Sequence, residues 1–225
     1  MKTLASHISE ALKIEKNIGN FSKHSCQPKT REELKSIIYD RIDEEGPNCD
    51  LNDIDVSQIE DMSSLFYRSS FNGDISEWDV SKVKNMGFMF IGSSFNGDIS
   101  KWDVSNVEDM WSMFYESKFT GDISGWNTSK VKRMNSMFTQ SPFNEDISKW
   151  NVSNVEDMWG MFSHSKFNQD ISKWNVSKVE SMTRMFQYSP FNQDISNWNI
   201  SKDCSTDFMF LECPIKAEYK PNGIK

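Results

Sequence analysis

The sequence predicts an α/β solenoid of 24-residue strand-helix repeats, with a helical cap at its N-terminal end and a short cap at its C-terminal end. Three observations carry that expectation. The octapeptide Phe71 to Trp78, Phe-Asn-Gly-Asp-Ile-Ser-Glu-Trp, returns nearly unchanged along the chain, and its tryptophan stands at Trp78, Trp102, Trp126, Trp150, Trp174 and Trp198, with Ile54 in the same phase one repeat earlier. A fixed period of roughly 20 to 50 residues is the signature of a stacked repeat. After each marker, apolar and polar residues alternate, as in Trp150-Asn151-Val152-Ser153, which predicts a short strand. Behind the strand the apolar spacing changes to Val107, Met110, Met113 and Phe114, which predicts a helix of two or three turns.

The chain divides into four parts. Residues 1–30 read as an N-terminal helix, with Leu4, Ile8, Leu12 and Ile14 loosely spaced on it, followed by a polar linker containing Pro28. Residues 31–49 read as a capping helix. Glu32 and Glu33 sit in a first turn that favours acids, Leu34, Ile37, Ile38 and Ile42 form one stripe, and Gly46-Pro47 ends it. Its expected role is to cover the exposed end of the first repeat. Residues 50–213 are the repeats. Ser57, Ser105, Ser153 and Ser177, each with a glutamate three places on, predict capping boxes at the helix starts, while Ser81 and Ser129 have lysine there. Residues 214–225 read as a C-terminal cap and tail that shields the last edge.

A strand and a helix in each 24-residue unit match the size and layout of a leucine-rich-repeat-like solenoid. The string Phe-Asn-x-Asp-Ile-Ser-x-Trp-Asp/Asn-Val-Ser-x-Val-x-x-Met-x-x-Met-Phe also resembles the BspA-like leucine-rich-repeat surface proteins of bacteria, catalogued as a Mycoplasma-type surface-protein repeat of unknown function. The resemblance runs from about Asp50 to Cys213. It implies a curved, parallel-stranded solenoid used for binding, with no catalytic residues to carry over. The N-terminus, Met1-Lys2-Thr3 through Ile8-Ser9-Glu10-Ala11, resembles the capsid-targeting peptides of internal head proteins of large tailed phages, which implies processing between Glu10 and Ala11.

Composition narrows the function. A net charge of −8 argues against nucleic acid and anionic membrane, both of which need a basic surface, and favours a basic or neutral partner. The first 25 residues carry scattered lysines and no apolar core of a signal peptide, and no run reaches a membrane span, so the expectation is a cytoplasmic protein. Cys26, Cys49, Cys204 and Cys213 lack Cys-x-x-Cys spacing and are expected to be reduced. Only His7, His24 and His164 are present, so no nucleophile-base pair recurs and an enzyme is not expected. No cofactor is expected either. The acids Asp74, Asp98, Asp122, Asp146, Asp170 and Asp194 suggest a calcium ladder, but the glycine-rich nonapeptide of such sites is missing, and closing turns through their own backbone is the simpler role. Asn-x-Ser sequons at Asn127, Asn151, Asn175 and Asn199 recur because the repeat does, and read as strand positions. Twelve of the thirteen methionines hold the expected helix phase and read as core.

Binding specificity has to be written where the repeats differ. Nine residues after the marker stand Ser63, Gly87, Trp111, Asn135, Trp159 and Thr183. Trp111 and Trp159 are two repeats apart, roughly 10 Å if each repeat advances by a strand spacing of about 4.8 Å. Glu108-Asp109 and Glu156-Asp157 precede them, and Lys132-Arg133 occupy the repeat between. This constellation is the candidate partner-binding site, for a protein or a glycan. Its alternative is packing, with both indoles folded down over the neighbouring helix. Two functions follow: an interaction protein that binds a macromolecule through this face, or a phage-encoded internal virion or host-takeover protein that binds and blocks a host protein.

Overall fold

The computed structural model describes residues 25–224. Helix α1, Arg31–Glu45, begins where the sequence places it. Thr30 Oγ1 accepts from the Glu33 backbone N–H, Glu33 reaches back to the N–H of Lys29, and Gly46 takes the positive φ of 89° that ends the helix. Leu34 and Ile38 are fully buried against the first repeat, while Ile37 and Ile42 pack at its margin. A short 3-10 helix, Ala217–Tyr219, lies near the other end.

Between them the chain forms seven stacked coils, starting at Ile54, Trp78, Trp102, Trp126, Trp150, Trp174 and Trp198. The expected strand-helix unit is not what forms. Among the described residues, α1 is the one α-helix and there are no strands; the coils are chains of turns joined by single parallel bridges, Asp61↔Asn85, Asn85↔Asp109, Asp109↔Arg133, Arg133↔Asp157, Asp157↔Ser181 and Ser181↔Ser205.

The reason lies in two recurrent left-handed residues. Ten and fourteen places after each marker φ is positive, at Ser64 and Arg68, Ser112 and Glu116, Ser136 and Gln140, or Gly160 and His164, and a continuous α-helix has no room for either. Around them the amides alternate. In coil 3, Met110, Ser112, Phe114 and Glu116 donate to Arg133, Asn135, Met137 and Thr139 of coil 4, while Met113, Tyr115 and Ser117 donate three residues back within their own coil. The apolar spacing that imitates a helix is therefore produced by consecutive turns, in which a positive φ at the third residue is the type II geometry.

Side chains fasten the other corners. The backbone N–H two residues on donates to Oδ1 of Asp74, Asp98, Asp122, Asp146, Asp170 and Asp194, which holds each carboxyl below its usual range. The residue after the marker does the same: Asp79, Asp103, Asn127, Asn151 and Asn175 accept from the serine amide two places on. Ser57, Ser105, Ser153 and Ser177 thus donate through their backbone into a turn, where capping boxes were expected, and the sequons stand beside these turns where strands were expected. At a further corner Ser93, Ser117, Ser141 and Ser165 accept through Oγ from the following Phe95, Phe119, Phe143 and Phe167 amides.

Phe, Met, Ile, Val and Trp of fixed phase point inward and stack on their own copies, and twelve phenylalanines are fully buried. Each marker indole Nε1–H donates to a backbone carbonyl 27 residues earlier, Trp102 to Ile75 at 3.1 Å and Trp126 to Ile99 at 3.1 Å, so the burial of the large ring leaves no polar atom unsatisfied. Four free thiols, Cys26, Cys49, Cys204 and Cys213, lie at the ends.

Candidate functional site

Equivalent rings in neighbouring coils measure the local advance of the stack. In the column of Phe66, Phe90, Phe114, Phe138, Phe162, Phe186 and Phe210 that advance is 5.4 to 5.8 Å. It is 6.0 to 6.4 Å for the Phe71 and Phe95 column and 6.4 Å for the tryptophans. A bridged backbone advances by about 4.8 Å. The bridged row, Asp61 to Ser205, marks one side of the stack. Faces that repeat from coil to coil are the extended binding surfaces of repeat proteins.

The candidate residues stand on that side. Asp109, Arg133 and Asp157 are themselves bridge residues; Oδ1 of Asp109 and of Asp157 accepts from the N–H of Trp111 and Trp159, each at 2.9 Å, in a turn that projects the indole outward. Trp111 is 38% exposed and Trp159 41%. Neither is folded down into the core. The two differ in setting, however. Phe88 of coil 2 packs on Trp111 at 4.6 Å, and the Arg133 guanidinium lies 6.0 Å from its centroid on the opposite side in chain order while contacting Asp109. Trp159 has no comparable ring or cation partner among the described residues.

Next to this row runs a second one, of alternating charge. Lys84 binds Glu60 at 2.8 Å and Lys132 binds Glu108 at 2.7 Å, so both carboxyls titrate below and both ammoniums above their usual values. Glu156 stands on the far side of Lys132, and with Glu108, Lys130, Lys132, Asn154 and Lys178 it lines a shallow cavity of about 280 Å³. Exposed pairs such as these are screened by solvent and add little to stability, so their role is patterning.

Sequence reasoning passes over the residues that complete the face. Tyr67, Tyr188, Phe208 and Leu211 are exposed on the same turns, and Phe88 supports Trp111. Their signal is an aromatic or aliphatic residue at a phase where other repeats carry Ser, Arg, Glu or Gln. Asn135, between the two indoles in chain order, is 8% exposed, and its Oδ1 is buried without a partner among the described residues. Glu10 and Ala11 lie outside the described residues. Among those described, no group of three His, Cys, Asp or Glu side chains is placed to hold a metal ion, and no helix is long and apolar enough to cross a membrane.

The fold and this face define a tandem-repeat protein whose repeats hold one backbone and vary their side chains along the bridged side. The chain belongs to the family described as Mycoplasma protein of unknown function, DUF285, whose model matches residues 34–142 and 116–220. Comparison with curated proteins and with solved structures returns no match.

Proposed function

We propose that this is a non-enzymatic interaction protein that binds another protein along the bridged side of the coil stack, with Trp111 and Trp159 as anchors. The observation that carries this reading is the exposure of both indoles, 38% and 41%, on turns where other coils carry Ser63 or Thr183. A large aromatic that the fold does not need, set beside Asp109, Arg133, Glu108, Lys132, Glu156 and Asp157, has the makeup of a binding hot spot. Trp111 is flanked by Phe88 and Arg133 and offers an edge, which suits apolar side chains of a protein better than a stacked sugar ring. The likeness of the repeat string to BspA-like surface proteins supports the same reading. A phage-encoded protein processed after Glu10 draws no support from the fold, because its motive lies in residues 1–11.

The test is the double variant Trp111→Ser, Trp159→Thr, which borrows residues that this phase already accommodates. Folding should be nearly unchanged. Affinity for a partner recovered by cross-linking should fall about 30-fold or more, since hot-spot aromatics contribute about 2 kcal/mol or more each. A collapse of stability, or unchanged affinity with the fold intact, removes the proposal.

A further inference from the structure

The two ends of the stack are finished differently, and one of them is open. In every internal junction the amides eight, ten, twelve and fourteen places after the marker donate to the next coil, as Met182, Arg184, Phe186 and Tyr188 donate to Ser205, Asp207, Met209 and Leu211. In coil 7 the same amides belong to Thr206, Phe208, Phe210 and Glu212, and no described residue accepts from them. The amides between them are satisfied, because Met209, Leu211 and Cys213 donate within the coil.

The C-terminal segment fastens to coil 6 and reaches this edge only at the Phe210 ring. Tyr219 accepts through its carbonyl from the Ile195 N–H, the Lys216 N–H donates to Asn192, Ile215 is buried in the core, and the Lys220 ammonium lies 5.4 Å from the Phe210 centroid. The turns from 205 to 212 keep an exposed rim, with Phe208 59% and Leu211 38% accessible. Three carboxylates, Asp203, Asp207 and Glu212, are exposed on the same coil, and none forms an ion pair with a described cation.

We propose that this edge docks a basic polypeptide segment of a partner, whose alternate carbonyls accept from Thr206, Phe208, Phe210 and Glu212 while its cations meet Asp203, Asp207 and Glu212. When a partner's backbone adds to an open edge, main-chain bonds supply affinity and side chains supply selectivity. The edge consists of donors, so its occupant must present acceptors. A second copy set edge to edge would oppose donors to donors. At the other end Arg31 Nη1 already donates to the Ser63 carbonyl at 3.3 Å and to Ser63 Oγ at 2.8 Å, which occupies part of the matching acceptor row. Phe208 and Leu211 offer the occupant an apolar rest, and the carboxylates select its charge.

The experiment titrates the full chain with an acetylated, amidated Lys-Val-Lys-Val-Lys-Val-Lys peptide and with its Glu-Val counterpart, and follows amide hydrogen exchange residue by residue. The basic peptide should saturate. It should slow exchange at Thr206, Phe208, Phe210 and Glu212 and leave Met209, Leu211 and Cys213 unchanged. The variant Asp207→Asn, Glu212→Gln uses residues that the same phases carry at Asn135 and Gln140, so it should fold, and it should bind the basic peptide at least tenfold more weakly. The proposal is overturned by no saturable binding of the basic peptide, by equal binding of the acidic one, by binding without the alternating protection, or by concentration-dependent protection of these amides without peptide, which would identify a second copy. Each readout is independent of Trp111 and Trp159, so it stands or falls apart from the reading of the bridged side.

Discussion

The first coils and the last coils repeat the same turns and differ in the spacing of one phenylalanine column. Members of the Phe66 column advance by 5.4 and 5.5 Å at the first two junctions and by 5.8 Å at each of the last three, while the tryptophan column keeps 6.4 Å at both ends. One phase tracks that change. Two residues after the re-entering phenylalanine stand Gly73, Gly97 and Gly121 in the N-terminal half, and Glu145, Gln169 and Gln193 in the C-terminal half. A Cβ on Gly73 would lie 1.9 Å from the Cys49 carbonyl oxygen, and one on Gly97 would lie 3.2 Å from the Gly73 carbonyl. Glycine lets neighbouring backbones close up, and a side chain at the same place holds them apart. The ends differ accordingly: the tight end is closed by α1 through Leu34, Ile38 and Arg31, while the looser end keeps four unpaired amides. The lesson is that this repeat specifies a path for the chain, while pitch and termination are set by residues outside its constant positions.

The contrast can be broken most forcefully at the caps. Ile38→Ala opens a cavity between α1 and coil 1 and should cost about 2 to 5 kcal/mol. Ile215→Ala, at the end that already leaves an edge open, should cost less than half of that in the same denaturant melts; equal losses would show that the two ends are closed alike. Gly73→Ala comes next. Its Cβ meets a backbone carbonyl that cannot swing away, so a loss of about 1 to 3 kcal/mol is expected, while Gly125→Ala, with nothing within 4 Å of the added carbon, should be neutral or slightly stabilising.

Acid should separate the halves by a smaller margin. Turn bonding depresses the carboxyls of Asp98 and Asp103 in the folded chain, so their contribution is complete above the unfolded aspartate value of about 3.9 and is lost as pH falls below it. After its marker coil 3 uses Asp103, and coils 4 to 7 use Asn127, Asn151, Asn175 and Asn199, which do not titrate. Hydrogen exchange near pH 3 should therefore open this corner of coil 3 before its counterparts in coils 4 to 7, and Asp103→Asn should reduce the difference; uniform opening would mean that the corner is not acid-sensitive. The smallest effect is expected for Arg31→Ala, about 1 kcal/mol, read as faster exchange confined to coil 1.

Much of this molecule is legible without coordinates. The tryptophan markers fix the register, and the twelve repeat methionines and the inward phenylalanines are buried where the period places them, because a residue that returns every 24 positions with apolar character can be satisfied only by its own copies. Helix α1 is legible through Thr30, its first-turn acids and Gly46, which act within a few residues of one another. The tertiary structure decided what the pattern cannot carry. Val107, Met110, Met113 and Phe114 have the spacing of a helix, yet Ser112 and Glu116 take positive φ, because alternate amides gain partners in the next coil. Those partners sit 23 residues away, and no local propensity reports them. The exposure of Trp111 and Trp159, the single-bridge row and the open amides of coil 7 have the same origin: each depends on how one coil lies on the next, which is a relation between segments and is not contained in any one of them.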